Sequence, residues 1–225
     1  MRARGAWALV LLAAILAFPA AAAPPTSPAM LPPPPDSAAV LARIQNYWKQ
    51  LHSYQVPVTM NGSVKVAFIS VPFTMTGTEY YQAPDKEALV MNDVPSMARG
   101  FEKTMSNMGT PETWPQRYAI TLKGSETHRN HLAYVLVGLP KAGGNVKNVT
   151  MWVNAKTYAI ESVAFNYNNG ATLNLELSHH GLSPYHLPTS VAVSAKFPQY
   201  SGGATIKYGT YQTNVAIPAS VFQKE

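Results

Sequence analysis

Alternation of apolar and polar positions dominates the last third of the chain, from Val149 to Phe222. Leu173, Leu175 and Leu177 face one way while Asn174, Glu176 and Ser178 face the other. Val191, Val193, Ala195 and Phe197 repeat the scheme against Ala192, Ser194 and Lys196. Side chains alternate faces along a strand, so this pattern builds a sheet with one apolar and one wet face. What covers the apolar face is the functional question.

The same periodicity predicts strands from near Tyr54 onward. Val64, Val66 and Phe68 alternate with Lys65 and Ala67, and Phe73 to Tyr81 sets Thr74, Thr76 and Thr78 on one side. Pro57 and Pro72 belong at strand ends or edges, where a missing N–H is tolerated. Gln82 to Asp85 reads as a turn before a strand from Glu87 to Met91. Further strands are expected at Tyr118 to Leu122, Leu132 to Val137, Val146 to Val153, Tyr158 to Tyr167 and Ala171 to Ser178. Lys141 to Asn145 and Asn168 to Gly170 make the hairpin turns. His179 to Leu187 is a longer loop, and Ser201, Gly202 and Gly203 separate the last two strands. With about ten strands and no β-α-β rhythm, the sheet is expected to be antiparallel.

Two segments follow the helical period instead. Val40, Leu41, Ile44, Tyr47, Trp48 and Leu51 form one broad stripe on a helix capped by Asp36 or Ser37 and running to about His52. Met97, Phe101, Met105 and Met108 recur at steps of three and four, with Gly109 as a stop. Gly100 weakens this second helix by about 1 kcal/mol relative to Ala. Its methionines suit ordinary core packing, and equally a changing partner.

Composition bounds the setting. Arg2 and Arg4, the apolar run Trp7 to Phe18 and the small residues Ala20 to Ala23 have the layout of a secretory signal, giving residues 1–22 as an export segment. The run is shorter than the roughly 20 residues of a spanning helix. Residues 23–35 follow as a Pro-rich spacer, with seven prolines between Pro24 and Pro35. Residues 36–225 then form one domain. The chain has no cysteine, so its stability comes from its core and not from disulfides. Without Arg2 and Arg4 the formal charge falls from +6 to +4, with no basic stripe, so nucleic acid is not an expected partner.

Motifs for catalysis are scarce. His128 and His131 would fall on opposite faces of a strand, and His179, His180 and His186 sit in or beside one loop, so all read as solvated histidines and no metal site is expected. There is no Gly-x-Ser-x-Gly elbow, phosphate loop or His-Glu-x-x-His. Asp85 and Asp93 have structural roles in a turn and a cap. A hydrolase built from residues distant in sequence, with His180 or Ser201 among them, is the remaining catalytic alternative. Asn61-Gly-Ser63 and Asn148-Val-Thr150 match the glycosylation pattern and are read as coincidences.

Three short stretches, in order, carry a family resemblance: Tyr80-Tyr81-Gln82-Ala83-Pro84-Asp85-Lys86; Met151-Trp152-Val153-Asn154 with Thr157 and Ile160; and Tyr208 to Asn214 with Ile217-Pro218 and Phe222. Together with the capped first helix they resemble the LolA-like periplasmic lipoprotein-carrier superfamily, which includes related lipid carriers and envelope-stress sensor domains. The resemblance implies an α+β, mainly β fold: a half-open antiparallel β-barrel with an N-terminal helix and a lid helix over the opening. It implies an apolar cavity lined by Phe73, Met75, Met91, Trp152 and Phe165, with Met97, Phe101, Met105 and Met108 as the lid. The implied protein is a monomeric periplasmic carrier with no enzymatic activity and no cofactor. It would sequester acyl lipids or lipoprotein acyl chains, meet the membrane transiently and use an envelope receptor protein. The alternative is an interaction module of an envelope-stress or assembly system on the same fold. Dedicated lipoprotein carriers have an arginine before the proline of the strand-turn; here that residue is Ala83, which leaves lipid or lipoprotein open as cargo.

Overall fold

The computed structural model describes residues 35–92, 110–181 and 183–223. The expected lid residues Met97, Phe101, Met105 and Met108, the export segment and all but the last residue of the Pro-rich spacer lie outside them. Helix α1 runs Ser37–Trp48, and Asp36 Oδ1 accepts from Ala39 N–H at 2.7 Å, closing one of the donors that a helix start leaves open. It stops four residues short of the expected His52. Leu51 N–H turns back to Trp48 O, and Asn214 then clamps the junction, its side chain accepting from His52 N–H and donating to Gln50 O.

Eleven strands follow: β1 Ser53–Val66, β2 Ile69–Gln82, β3 Lys86–Asn92, β4 Tyr118–His128, β5 His131–Pro140, β6 Val146–Asn154, β7 Ile160–Tyr167, β8 Thr172–Ser178, β9 Ser190–Lys196, β10 Ser201–Tyr208 and β11 Gln212–Thr213. A one-turn helix, α2 (Trp114–Arg117), leads into β4, and Ala219–Phe222 closes the described chain as a 3-10 turn. All strand pairs are antiparallel in one sheet of order β3-β2-β1-β10-β9-β8-β7-β6-β5-β4, with β11 beside β1. The two ends of that order, β3 and β4, do not pair, so the sheet curls without closing. This is the expected half-open barrel.

Several boundaries differ from the sequence expectation for local reasons. Val64 to Phe68 is not one strand: the chain reverses at Ala67 and Phe68, and Ala67 takes φ 51°, a conformation the residue does not advertise. Conversely, Ser201 to Gly203 is not a loop but the start of β10. A Cβ on Gly202 would stand 2.7 Å from Ser63 O, so a glycine lets the two backbones approach. Pro57 sits inside β1, where the partner changes from β11 to β10, and its carbonyl accepts from Gly209 N–H across that break. Pro72 lies in β2 beyond the reach of β3, on an unpaired edge as expected. His128 and His131 are directly opposed across the Arg129–Asn130 turn. They therefore share a face, contrary to the expectation for a continuous strand.

The apolar faces of these strands make two clusters. Tyr54, Val56, Val58 and Met60 of β1 pack with Leu173, Leu175, Val191, Val193 and Ile206 from β8, β9 and the neighbouring β10. Val40, Leu41 and Ile44 of α1 pack instead on Leu136, Met151 and Val153. Each such side chain contributes roughly 1.5–3 kcal/mol when fully buried, enough to seat the helix on the sheet.

The sheet has little room for added bulk where β1 and β10 crowd together. A Cβ on Gly62 would lie 2.5 Å from Gly203 O and 2.7 Å from the Phe73 ring that covers it. Gly62→Ala should cost about 1–3 kcal/mol in urea unfolding, whereas Gly143→Ala, with nothing within 4 Å, should change stability by less than about 0.5 kcal/mol.

Candidate functional site

Between α1, α2 and the concave side of the sheet lies a half-enclosed cavity of about 190 Å³. One water needs roughly 10–15 Å³ by the same measure, so this is a built space and not a packing defect. Its wall is largely apolar, with Leu136, Val149, Met151, Val163, Phe165 and Leu175 among the lining residues. Strand alternation places them: each is on the face of its strand that turns toward the core.

The same alternation decides which expected site residues reach the cavity. Phe165 lines it. Phe73, Met75 and Met91 belong to the larger core cluster and take no part in the cavity wall. Trp152 is flanked by Met151 and Val153, which face the core, so its own side chain lies on the opposite face of β6. There its indole N–H donates to Glu126 at 2.7 Å and its ring stacks on His128. His128 in turn contacts Ser162 Oγ at 2.8 Å. Among the described residues no group of three His, Cys, Asp or Glu side chains is placed to hold a metal ion.

One end of the cavity is polar, and the sequence expectation missed it. Glu79 of β2 and Glu87 of β3 both line the wall. Glu79 is paired in register with Leu89, and Glu87 with Tyr81, so the two carboxylates are diagonal neighbours across one hairpin. Glu79 Oε1 accepts from Tyr54 Oη at 2.6 Å, and its Oε2 from Tyr208 Oη at 3.3 Å. Tyr54, Tyr81, Tyr208 and Tyr211 surround this end, with Tyr54 within 5.4 Å of both Tyr81 and Tyr211 and Tyr208 stacked on Tyr211 at 5.8 Å. Trp48 from the end of α1 meets Tyr81 edge to face at 5.3 Å. Tyr211 Oη donates to Pro188 O, which fixes its ring.

Burial sets the electrostatics here. Loss of solvation raises Glu79 above the ordinary carboxylate value, and the two tyrosine hydrogen bonds offset only part of the rise. Glu87 is pushed from 4.5 to about 7, by burial first and then by the charge of Glu79, with Arg117 pulling the other way. Burial and the neighbouring carboxylates also raise Tyr54, Tyr208 and Tyr211, so all three stay neutral hydrogen-bond donors. The signal for this end was present in the sequence. Glu79 shares strand parity with Met75 and Tyr81, and Glu87 with Leu89 and Met91, an acid in each case where the pattern calls for an apolar side chain.

A pH dependence follows from Glu87. Its folded-state value is above its unfolded one, so the folded protein holds the extra proton between about 4.5 and about 7, and stability falls as pH rises through that window. The full effect is roughly 3 kcal/mol at most. Thermal melts should show Tm declining from pH 5 to pH 7.5, and Glu87→Gln should flatten that decline. An unchanged slope in the variant would remove Glu87 as its source.

No protein-family model matches this chain, and no curated protein matches it in sequence. Solved structures do match its fold. A DUF1329 family protein from Desulfovibrio piger aligns with a TM-score of 0.60 at 13% identity, over 82% of this chain and 95% of that one. A domain from Vibrio parahaemolyticus described as an outer membrane lipoprotein-sorting protein aligns with a TM-score of 0.60 at 12% identity, over 82% and 94%. A LolA superfamily protein from Nitrosomonas europaea aligns with a TM-score of 0.53 at 11% identity, over 85% and 99%. At these identities the likeness is one of fold, and the fold is that of the LolA superfamily structures.

Proposed function

We propose, on a fold shared with LolA superfamily structures, that this protein is a non-enzymatic carrier that sequesters the acyl chains of lipids or lipid-modified proteins. The observation that carries the reading is the apolar cavity of about 190 Å³ between the helices and the concave face of the sheet. Each CH₂ moved from water into such a wall gains about 0.8 kcal/mol, so a single chain supplies useful affinity without any reactive group. The export layout of residues 1–22 and the Pro-rich spacer at 23–35 support a domain, 36–225, working in the periplasm. Met97, Phe101, Met105 and Met108 remain the proposed cover of the opening.

A carrier must also meet a membrane, and one end of the sheet suits that contact. The turns β1–β2, β5–β6, β7–β8 and β9–β10 lie together there, as the strand registers require. Their flanks carry Lys65, Lys141, Lys147 and Lys196 and no Asp or Glu. At the tip of the β1–β2 hairpin Phe68 is 88% exposed, with Val66, Ile69 and Tyr200 also out in solvent. Exposed apolar side chains ringed by lysines suit an anionic lipid surface, where each lysine adds about 1 kcal/mol.

Mass spectrometry after organic extraction of the purified protein should find acyl lipids. Val163→Trp, which fills the cavity wall, should reduce uptake of a fluorescent fatty acid about tenfold with unchanged circular dichroism. Protein that is empty and takes up no such probe would end this reading. Phe68→Asp should abolish co-sedimentation with vesicles of anionic phospholipid at low salt while altering stability by less than about 0.5 kcal/mol.

A further inference from the structure

We propose that the tyrosine-lined end of the cavity binds the cationic, ammonium-bearing head of an amphiphile whose chain lies along the apolar wall. This inference rests on the carrier reading and adds the chemical class of the cargo. Three features of the site point to it independently.

The first is the sign of the wall. Glu79 and Glu87 line the cavity, and among the described residues no Lys, Arg or His does. An anionic head would enter a space whose own lining carries two acids and no cation, with Arg117 acting on Glu87 from outside that lining, whereas a cation would meet acids already in place. The second is the ring arrangement. Trp48, Tyr54, Tyr208 and Tyr211 stand round the same end and all line the cavity. Aromatic faces attract organic ammonium ions, and most strongly where water is excluded. Tyr54 and Tyr208 also hold both oxygens of Glu79, so the carboxylate is fixed before any ligand arrives.

The third feature is what this end leaves unsatisfied. Tyr81 is wholly buried, and among the described residues neither its hydroxyl nor the buried Glu112 Oε2 has a hydrogen-bond partner. Neither group is in the cavity lining, but Tyr81 stands edge to face with Trp48 and 5.4 Å from Tyr54, which are, so these unmet polar atoms lie behind the wall of this end.

The groups that set the charge here come from every element packed round it: Glu79 from β2, Glu87 from β3, and Glu112 and Arg117 from the segment entering β4, with Asp85 acting on Tyr81 from the turn. The tyrosines stay neutral, so the carboxylates alone titrate in the useful range. Cation binding should therefore strengthen as pH rises through about 7, the value to which Glu87 is held.

The test uses three probes of one chain length, dodecylammonium and dodecyl sulfate below their micelle concentrations and dodecanol below its solubility limit, titrated calorimetrically into the purified protein. At pH 8 dodecylammonium should bind about tenfold more tightly than dodecanol, and dodecyl sulfate more weakly than either. The ammonium-to-dodecanol ratio should shrink at pH 5.5 in the unaltered protein, and at pH 8 in Glu79→Gln. Should Glu79→Gln fail to fold, the pH comparison decides alone. Dodecanol binding with no preference for the ammonium, or with a preference for the sulfate, overturns the inference and leaves the carrier reading standing. Failure of all three probes to bind overturns both.

Discussion

A single sheet with one apolar face cannot stay exposed, and a sheet that curls without closing cannot bury that face on itself. The architecture follows from this constraint. Val40, Leu41 and Ile44 seat α1 over Leu136, Met151 and Val153 and so cover one side of the concavity. The strands from β1 through β8 meet across the other side through Met60, Leu173 and Val193. What neither cluster fills is the cavity. An ordinary domain interior is packed nearly as tightly as an organic crystal, and a space of this size departs from that density.

The polar end of the cavity belongs to the same logic. A carboxylate buried without compensation is costly, and Glu79 answers that cost with two tyrosine hydroxyls. Those tyrosines come from β1 and β10, neighbours in the sheet though far apart in the chain. The arrangement therefore depends on sheet order and could not be assembled by any local motif. The wall is apolar along most of its length, and its charge is confined to the carboxylate end.

How much of this the sequence carried depended on whether a signal was local. Asp36 as a cap, Asn168-Asn169-Gly170 as a turn and the alternation of β8 and β9 are local, and the structure has them as read. The Ala67 reversal was not legible, because nothing about alanine marks a left-handed residue. Gly202 and Gly203 read as a turn in the sequence, but glycine also serves where two backbones crowd, and only the pairing with β1 tells the two uses apart. Trp152 is a similar case. It lies in an apolar triplet, Met151 to Val153, and only the register with β5 and β7 fixes its face. The carboxylate pair was half legible: each acid broke its strand's pattern, but their adjacency needed the β2–β3 register.

The open edges of the sheet carry a further consequence. An unpaired strand offers a row of backbone donors and acceptors to any passing chain, the route by which sheets add to one another. Among the described residues this molecule has two such edges, and on one of them the first half of β2 continues unpaired beyond β3. One edge, β3, is kept to seven residues. The other, β4, breaks its register between Leu122 and Gly124, with Gly124 at φ 138° and the exposed Lys123 beside it. A short strand on one side and a kinked, charged one on the other are poor templates for growth. The gap left in the barrel is thus bordered by strands shaped to refuse a second sheet.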